Sequence, residues 1–274
     1  MGERGAISRY AYWSDRRVRD IASANDVLLE RRASWKAKTA AIPFIGSFEF
    51  AQEARTLTRA EVARRIEAAI GDLAVEDFVT PPPAAFAKGL GTVEVAQLAG
   101  VGGGRQGVVM HTTTCTSAGE RVDLCLFGSL ENTADYIGGA DQPPSGWSSS
   151  AAPAIARFIE SRGTVNNSQW DDPQSLAVEA LKIAVEQGIT GRWAEHADKP
   201  WTRGFTLGQA RESEWFAEIY SDVVLDQERW SFRADDGISP EVSRILVGAP
   251  LWLRTPGVQA ATRYRDVRRA LNGR

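Results

Sequence analysis

From Val108 to Ser129 the hydrophobic and polar positions alternate on either side of a short turn, and that alternation predicts a β-hairpin. A three-residue loop of Ser117, Ala118 and Gly119, with Gly119 at positive φ, sets the register. It pairs Thr116 with Glu120, Cys115 with Arg121, Thr113 with Asp123 and His111 with Cys125. One face then carries Met110, Thr112, Thr114, Val122, Leu124 and Leu126. The other carries His111, Thr113, Cys115, Arg121, Asp123 and Cys125. A one-residue slip would move one strand's whole set to the other side, so the register that separates the faces is the expected one.

The same reading continues along the chain. Arg9 to Trp13 is predicted as a strand, followed by a short helix capped by Ser14 with Val18 and Ile21 inward. Pro43 to Phe50 alternates like a half-buried strand. Thr58 and Glu61 form a capping box for a helix whose apolar stripe is Val62, Ile66, Ala69 and Ile70, with Gly71 at its end. Pro81 to Pro83 is a rigid connector, and Thr92 to Leu98 a strand beside Val108–Cys115. Asp141 to Ser150 reads as a loop, and Ala152 to Arg162 carries helical signals. A helix capped by Asp172, with Pro173 in its first turn, runs to Gln187 on the stripe Leu176, Ala180, Ile183 and Ala184. Residues 192 to 232 stand out only for four tryptophans, Trp193, Trp201, Trp215 and Trp230, read as core packing. Ile245 to Leu253 is the most hydrophobic strand-like run, with Pro250 expected at a bulge or an edge. Val258 to Leu271 is predicted as a final helix bearing Arg263, Arg265, Arg268 and Arg269.

Composition narrows the function classes. The chain has 274 residues, 43% of them hydrophobic, and a net charge of −3, which suits a folded domain with an ample core and gives no general attraction to nucleic acid. No apolar run approaches the ~20 residues of a membrane span, and the first residues lack an apolar signal core, so a soluble cytoplasmic protein is expected. In the hairpin register Cys115 and Cys125 are about 13 Å apart at strand rise, too far for a disulfide, so two reduced thiols are expected.

The chemistry-bearing candidates are His111, Asp123 and Cys125, brought to one face by the hairpin. Imidazole and thiolate suit zinc, but no Cys-x-x-Cys or His-x-x-x-His spacing supplies further ligands, so no metal and no cofactor are expected. A Cys125 nucleophile activated by His111 and oriented by Asp123 is a second possibility, set against Cys125 as a small core filler. The glycines of 100–104 lack the Gly-Lys-Ser/Thr of a phosphate loop and read as a link between strands. Ser129 lacks the glycines that a nucleophile elbow places two positions before and two after the serine, where Phe127 and Glu131 stand, and reads as a helix cap. His196 reads as a loop histidine beside Glu195 and Asp198. Asp171-Asp172 and Asp235-Asp236 read as a helix cap and a turn.

Three short segments resemble a family of uncharacterised actinobacterial proteins known as a domain of unknown function. They are Arg9-Tyr10 with Ser14-Asp15 and Val18, Phe127-Gly128-Ser129, and Val247-Gly248-Ala249-Pro250-Leu251-Trp252. The chain has Ala249 where that family usually has serine, and continues past that strand. The resemblance implies no catalytic residue.

These readings lead to an α+β fold, a mainly antiparallel sheet with helices packed on one face, in a single domain over 1–274. A loop break is expected near 141–150, and helix 258–271 as an extension. The expected function is a binding or regulatory module for a small molecule or a protein partner, with no nucleic-acid or membrane role. The alternative is a hydrolase or transferase working from the polar face of the hairpin through His111, Asp123 and Cys125.

Overall fold

The structure is a computed structural model and describes residues 9–29, 57–98, 107–133, 155, 172–186, 204–233, 238–255 and 261–263. The predicted strand at 43–50, the glycine cluster, the loop at 141–150, His196 and Asp235-Asp236 lie outside them, as does most of 152–162. The chain divides into two compact units, one made of 1–14 with 72–274 and the other of 15–71.

The smaller unit holds helix α1 (Asp15–Ala24) and helix α2 (Arg59–Ile70). Val18, Ile21 and Ala22 form the buried side of α1. The capping box of α2 is formed as expected. Thr58 Oγ1 accepts from the Glu61 amide at 3.3 Å, and the Thr58 amide donates to Glu61 Oε2 at 2.9 Å. Its stripe is Val62, Ala63, Ile66 and Ile70, whereas Ala69 faces solvent.

The larger unit is a β-structure. Its strands are β1 (Arg9–Trp13), β2 (Ala74–Val75), β3 (Phe86–Leu98), β4 (Gly107–Cys115), β5 (Arg121–Ser129), β6 (Gly204–Val224), β7 (Val242–Thr255) and β8 (Ala261–Arg263), with helix α3 (Pro173–Glu186) between β5 and β6. The order β7-β5-β4-β3-β6 closes on itself because β6 also pairs with β7. The result is a closed five-stranded barrel, antiparallel throughout except for the parallel β5–β7 pair.

This corrects the expected α+β sheet with helices on one face. The structure is 46% strand, with three helices among the described residues. The decisive element is β6, a 21-residue strand where only scattered tryptophans had been noted. It pairs with β3 on one side and β7 on the other, and so turns an open sheet into a barrel without edges. The predicted C-terminal helix is also corrected where it is described. Ala261–Arg263 is a strand on β6, opposite Gly208 to Ala210, where it satisfies open backbone groups of that strand. Ser129 precedes only a short 3-10 turn over Leu130–Asn132 rather than a helix.

Two apolar layers follow from the alternation. Inside the barrel lie Val93, Val108, Met110, Val122, Leu124, Leu126, Ala210, Trp215, Ala217, Ile219, Leu246 and Leu253, contributed by all five strands. Outside, Val109, Cys125, Phe127, Ile245 and Val247 pack with α3, whose Ala177, Ala180, Leu181, Ile183 and Ala184 are buried. Asp172 caps α3 as predicted, accepting from the Gln174 amide at 3.1 Å and from Ser175 Oγ at 2.6 Å. Gly248 is required where β6 crosses β7, because a Cβ there would collide with the Glu218 carbonyl. Pro250 sits at an irregularity in the β6–β7 ladder, as expected. Trp13, Trp252 and Phe216 stack across β1, β7 and β6, with ring centroids 5.7 and 4.8 Å apart.

Candidate functional site

The β4–β5 hairpin has the predicted register, from Cys115 opposite Arg121 through Thr113 opposite Asp123 to His111 opposite Cys125. Gly119 has a φ of 85°, which supplies the turn. His111, Asp123 and Cys125 therefore share the outer wall of the barrel, and Met110, Leu124 and Leu126 point into it.

On that wall Asp123 is the centre. Its Oδ1 accepts from His111 Nε2 at 2.8 Å, from Thr113 Oγ1 at 3.2 Å and from Arg121 Nη2 at 3.0 Å. Its Oδ2 accepts from Arg121 Nε at 2.8 Å. A carboxylate cannot donate, so His111 carries its proton on Nε2 in this contact. Burial pushes the Asp123 carboxyl up, but hydrogen bonds from His111 and Arg121 and their charge outweigh it, so its pKa lies below the ordinary value. The hydrogen bond to Asp123 in turn raises the Arg121 guanidinium. Arg121 keeps 28% of its side chain in solvent and Asp123 keeps 1%.

Cys125 does not join this network. It is fully buried, and desolvation first, then the negative charge of Asp123, pushes its thiol well above the ordinary range. A thiol held protonated in this way is a poor nucleophile and a poor metal ligand. Its neighbours Val109, Phe127 and Val247 mark it as part of the apolar outer layer. Cys115 is exposed, and the two cysteines are free, as expected. On the other side of His111, β3 places Glu94 opposite it, and Gln209 Nε2 donates to Glu94 Oε1 at 2.9 Å. No group of three or more metal-ligating side chains occurs among the described residues. None of their helices is long and apolar enough to cross a membrane.

A second polar centre escaped the sequence reading. Arg244 of β7 and Asp222 of β6 point into the end of the barrel where β4 turns into β5. Arg244 Nε donates to Asp222 Oδ1 at 2.7 Å and Nη2 donates to Oδ2 at 2.6 Å. Arg244 Nη1 donates to the carbonyls of Phe78 and Thr80 at 2.7 and 2.9 Å, and the Ala84 amide donates to Asp222 Oδ2 at 2.8 Å. The pair is almost wholly buried, with 5% of the Arg244 side chain exposed. The only sequence signal was a lone arginine at the start of an apolar strand, and its partner lies 22 residues earlier.

Comparison with known protein families, with curated proteins and with solved structures finds no match.

Proposed function

We propose that this protein is a binding or regulatory module for a small molecule or a protein partner. It works in the cytoplasm and catalyses no reaction from the outer face of the hairpin. One observation carries the reading: the candidate nucleophile of that face, Cys125, is sealed away from solvent and from His111. Asp123 is spent on His111, Thr113 and Arg121, and Cys125 is sealed in an apolar layer with its thiol protonated. With its proton on Nε2, His111 keeps Nδ1 as an acceptor, but a hydrolase or transferase working through Cys125 would need a reachable thiolate beside it.

Other features support the rest of the proposal. Two free thiols suit a reducing compartment. A net charge of −3 gives the chain no general attraction to nucleic acid. The test is a turnover screen on carboxylic ester, thioester, phosphate ester and peptide substrates, using the native protein, His111→Gln and Cys125→Ala. No turnover that depends on either residue is expected. An activity lost in both variants, with both still folded, would overturn the reading.

A further inference from the structure

Phe78 combines two features that rarely occur together. Its backbone has a φ of 55°, a left-handed conformation that a bulky side chain adopts only against strain. The residue is only 2% exposed and belongs to the inner core of the barrel, with its ring centroid 6.3 Å from that of Trp215. The surrounding strap, residues 76–84, contributes little else to the interior. Val79, next to Phe78, is exposed, and the Asp77 side chain accepts from the Val79 amide to hold the turn. The strap is tied to the barrel by an ion pair between Glu76 and Lys88 of β3 at its start and, further on, by the buried Arg244–Asp222 pair, through the carbonyls of Phe78 and Thr80 and the amide of Ala84.

The strap thus presents to the barrel end what a ligand would present: one aromatic ring for the socket beside Trp215 and carbonyl oxygens for Arg244 Nη1. We propose that this end of the barrel is a binding site for an uncharged ligand bearing an aromatic ring and a carbonyl oxygen, and that Phe78 and the strap carbonyls fill it as an internal stand-in. Charge sets the ligand class. Asp222 already faces Arg244 through both of its oxygens, so the arginine's positive charge is spent. A carboxylate ligand would meet Asp222 as well as Arg244, and a neutral amide or ketone would not. Strain at Phe78 favours release of the strap, and the Arg244 contacts favour its retention. The ligand exchanges with the strap and adds no new charge to a buried place.

This site gives a location to the binding module proposed above and rests on that reading. Its failure would leave that reading standing, because the reading is tested by turnover in His111→Gln and Cys125→Ala. The probe is phenylacetamide, which has the benzyl group of phenylalanine and one carbonyl. Calorimetry compares the native protein with Phe78→Ala, which removes the ring and keeps the left-handed strain that favours release of the strap. Phe78→Ala is expected to bind phenylacetamide at least tenfold more tightly than the native protein does, and at least tenfold more tightly than it binds phenylacetate. A folded Phe78→Ala that binds no probe, or that binds ethylbenzene as tightly as phenylacetamide, would overturn the proposal, the second outcome marking a bare apolar hole. Amide exchange of the native protein decides the matter even if that variant does not fold. The Ala84 amide, though buried against Asp222, is expected to exchange at least a hundredfold faster than the ladder amides of Leu124 and Leu246. Equal protection would mean that the strap does not leave the barrel.

Discussion

The barrel carries two aspartate–arginine pairs, and they do different things. On the outer wall Asp123 and Arg121 are two residues apart on one strand, with His111 and Thr113 completing the shell of Asp123. Inside, Asp222 and Arg244 come from two strands, and the remaining donors of Arg244 go to the carbonyls of a third segment. Arg121 still reaches water, whereas Arg244 does not. The outer pair decorates a hairpin that its own alternation already specifies. The inner pair joins β6, β7 and the strap 76–84, and so belongs to closure of the barrel. Equal chemistry therefore has unequal structural weight, set by what each partner can turn to when the other is removed.

Leu124→Asp should have the largest effect, since it puts a carboxylate inside the barrel with no arginine to meet it. Loss of the buried leucine costs ~1.5–3 kcal/mol, and the unpaired charge adds several more. Circular dichroism should show an unfolded chain, and a folded Leu124→Asp would break the assignment of inner and outer faces.

Arg244→Met comes next, because it leaves Asp222 buried and alone. A loss of about 3–5 kcal/mol is expected in urea unfolding. The double variant Arg244→Met with Asp222→Leu should recover most of it. If the double variant is no better than the single one, the inner pair contributes through its backbone contacts and not through its charges.

Asp123→Asn should cost less, about 1–3 kcal/mol, since Arg121 can turn to solvent. The same residue sets a pH dependence. Its folded pKa lies below its unfolded value, so its stabilising contribution is complete above the unfolded value and is lost as pH falls through the folded one. Urea midpoints measured from pH 5 downwards should fall more steeply for the native protein than for Asp123→Asn. Parallel curves would show that Asp123 is not held ionised by its partners.

His111→Gln should be the mildest, at about 0.5–1.5 kcal/mol, because the glutamine amide can still donate to Asp123. A larger loss would give the outer cluster a structural weight closer to that of the inner one.

The hairpin was legible because its two strands are adjacent in sequence and each keeps one phase of alternation. β6 was not legible because its register shifts three times, first between Thr206 and Gly208. Ala210 points inward, then a register shift around Glu212, whose φ is 50°, moves the inward set to Trp215, Ala217 and Ile219. A further shift between Ile219 and Ser221 brings Asp222 inward. Each added residue reverses the face, so no single period-two pattern covers the strand. The first half of β3 was hidden in a related way. Gly89 leaves a gap in the apolar pattern because the ring of Trp215, opposite it on β6, fills the space of its missing side chain. Cys125 could be placed on its face from the register, but not beneath α3, which arrives from residues some fifty positions later.

By itself, the sequence determined what local rules reach: the hairpin and its faces, the capping box at Thr58, the Asp172 cap, the apolar strand around Pro250 and the two unpaired cysteines. Tertiary structure decided what needs partners distant in the chain. That includes closure through β6, the burial that keeps Cys125 protonated, and the meeting of Arg244 with Asp222 and the strap. The physical reason is that a turn or a cap is satisfied within a few residues, whereas a barrel seam and a buried charge are satisfied only when segments far apart in the chain arrive together.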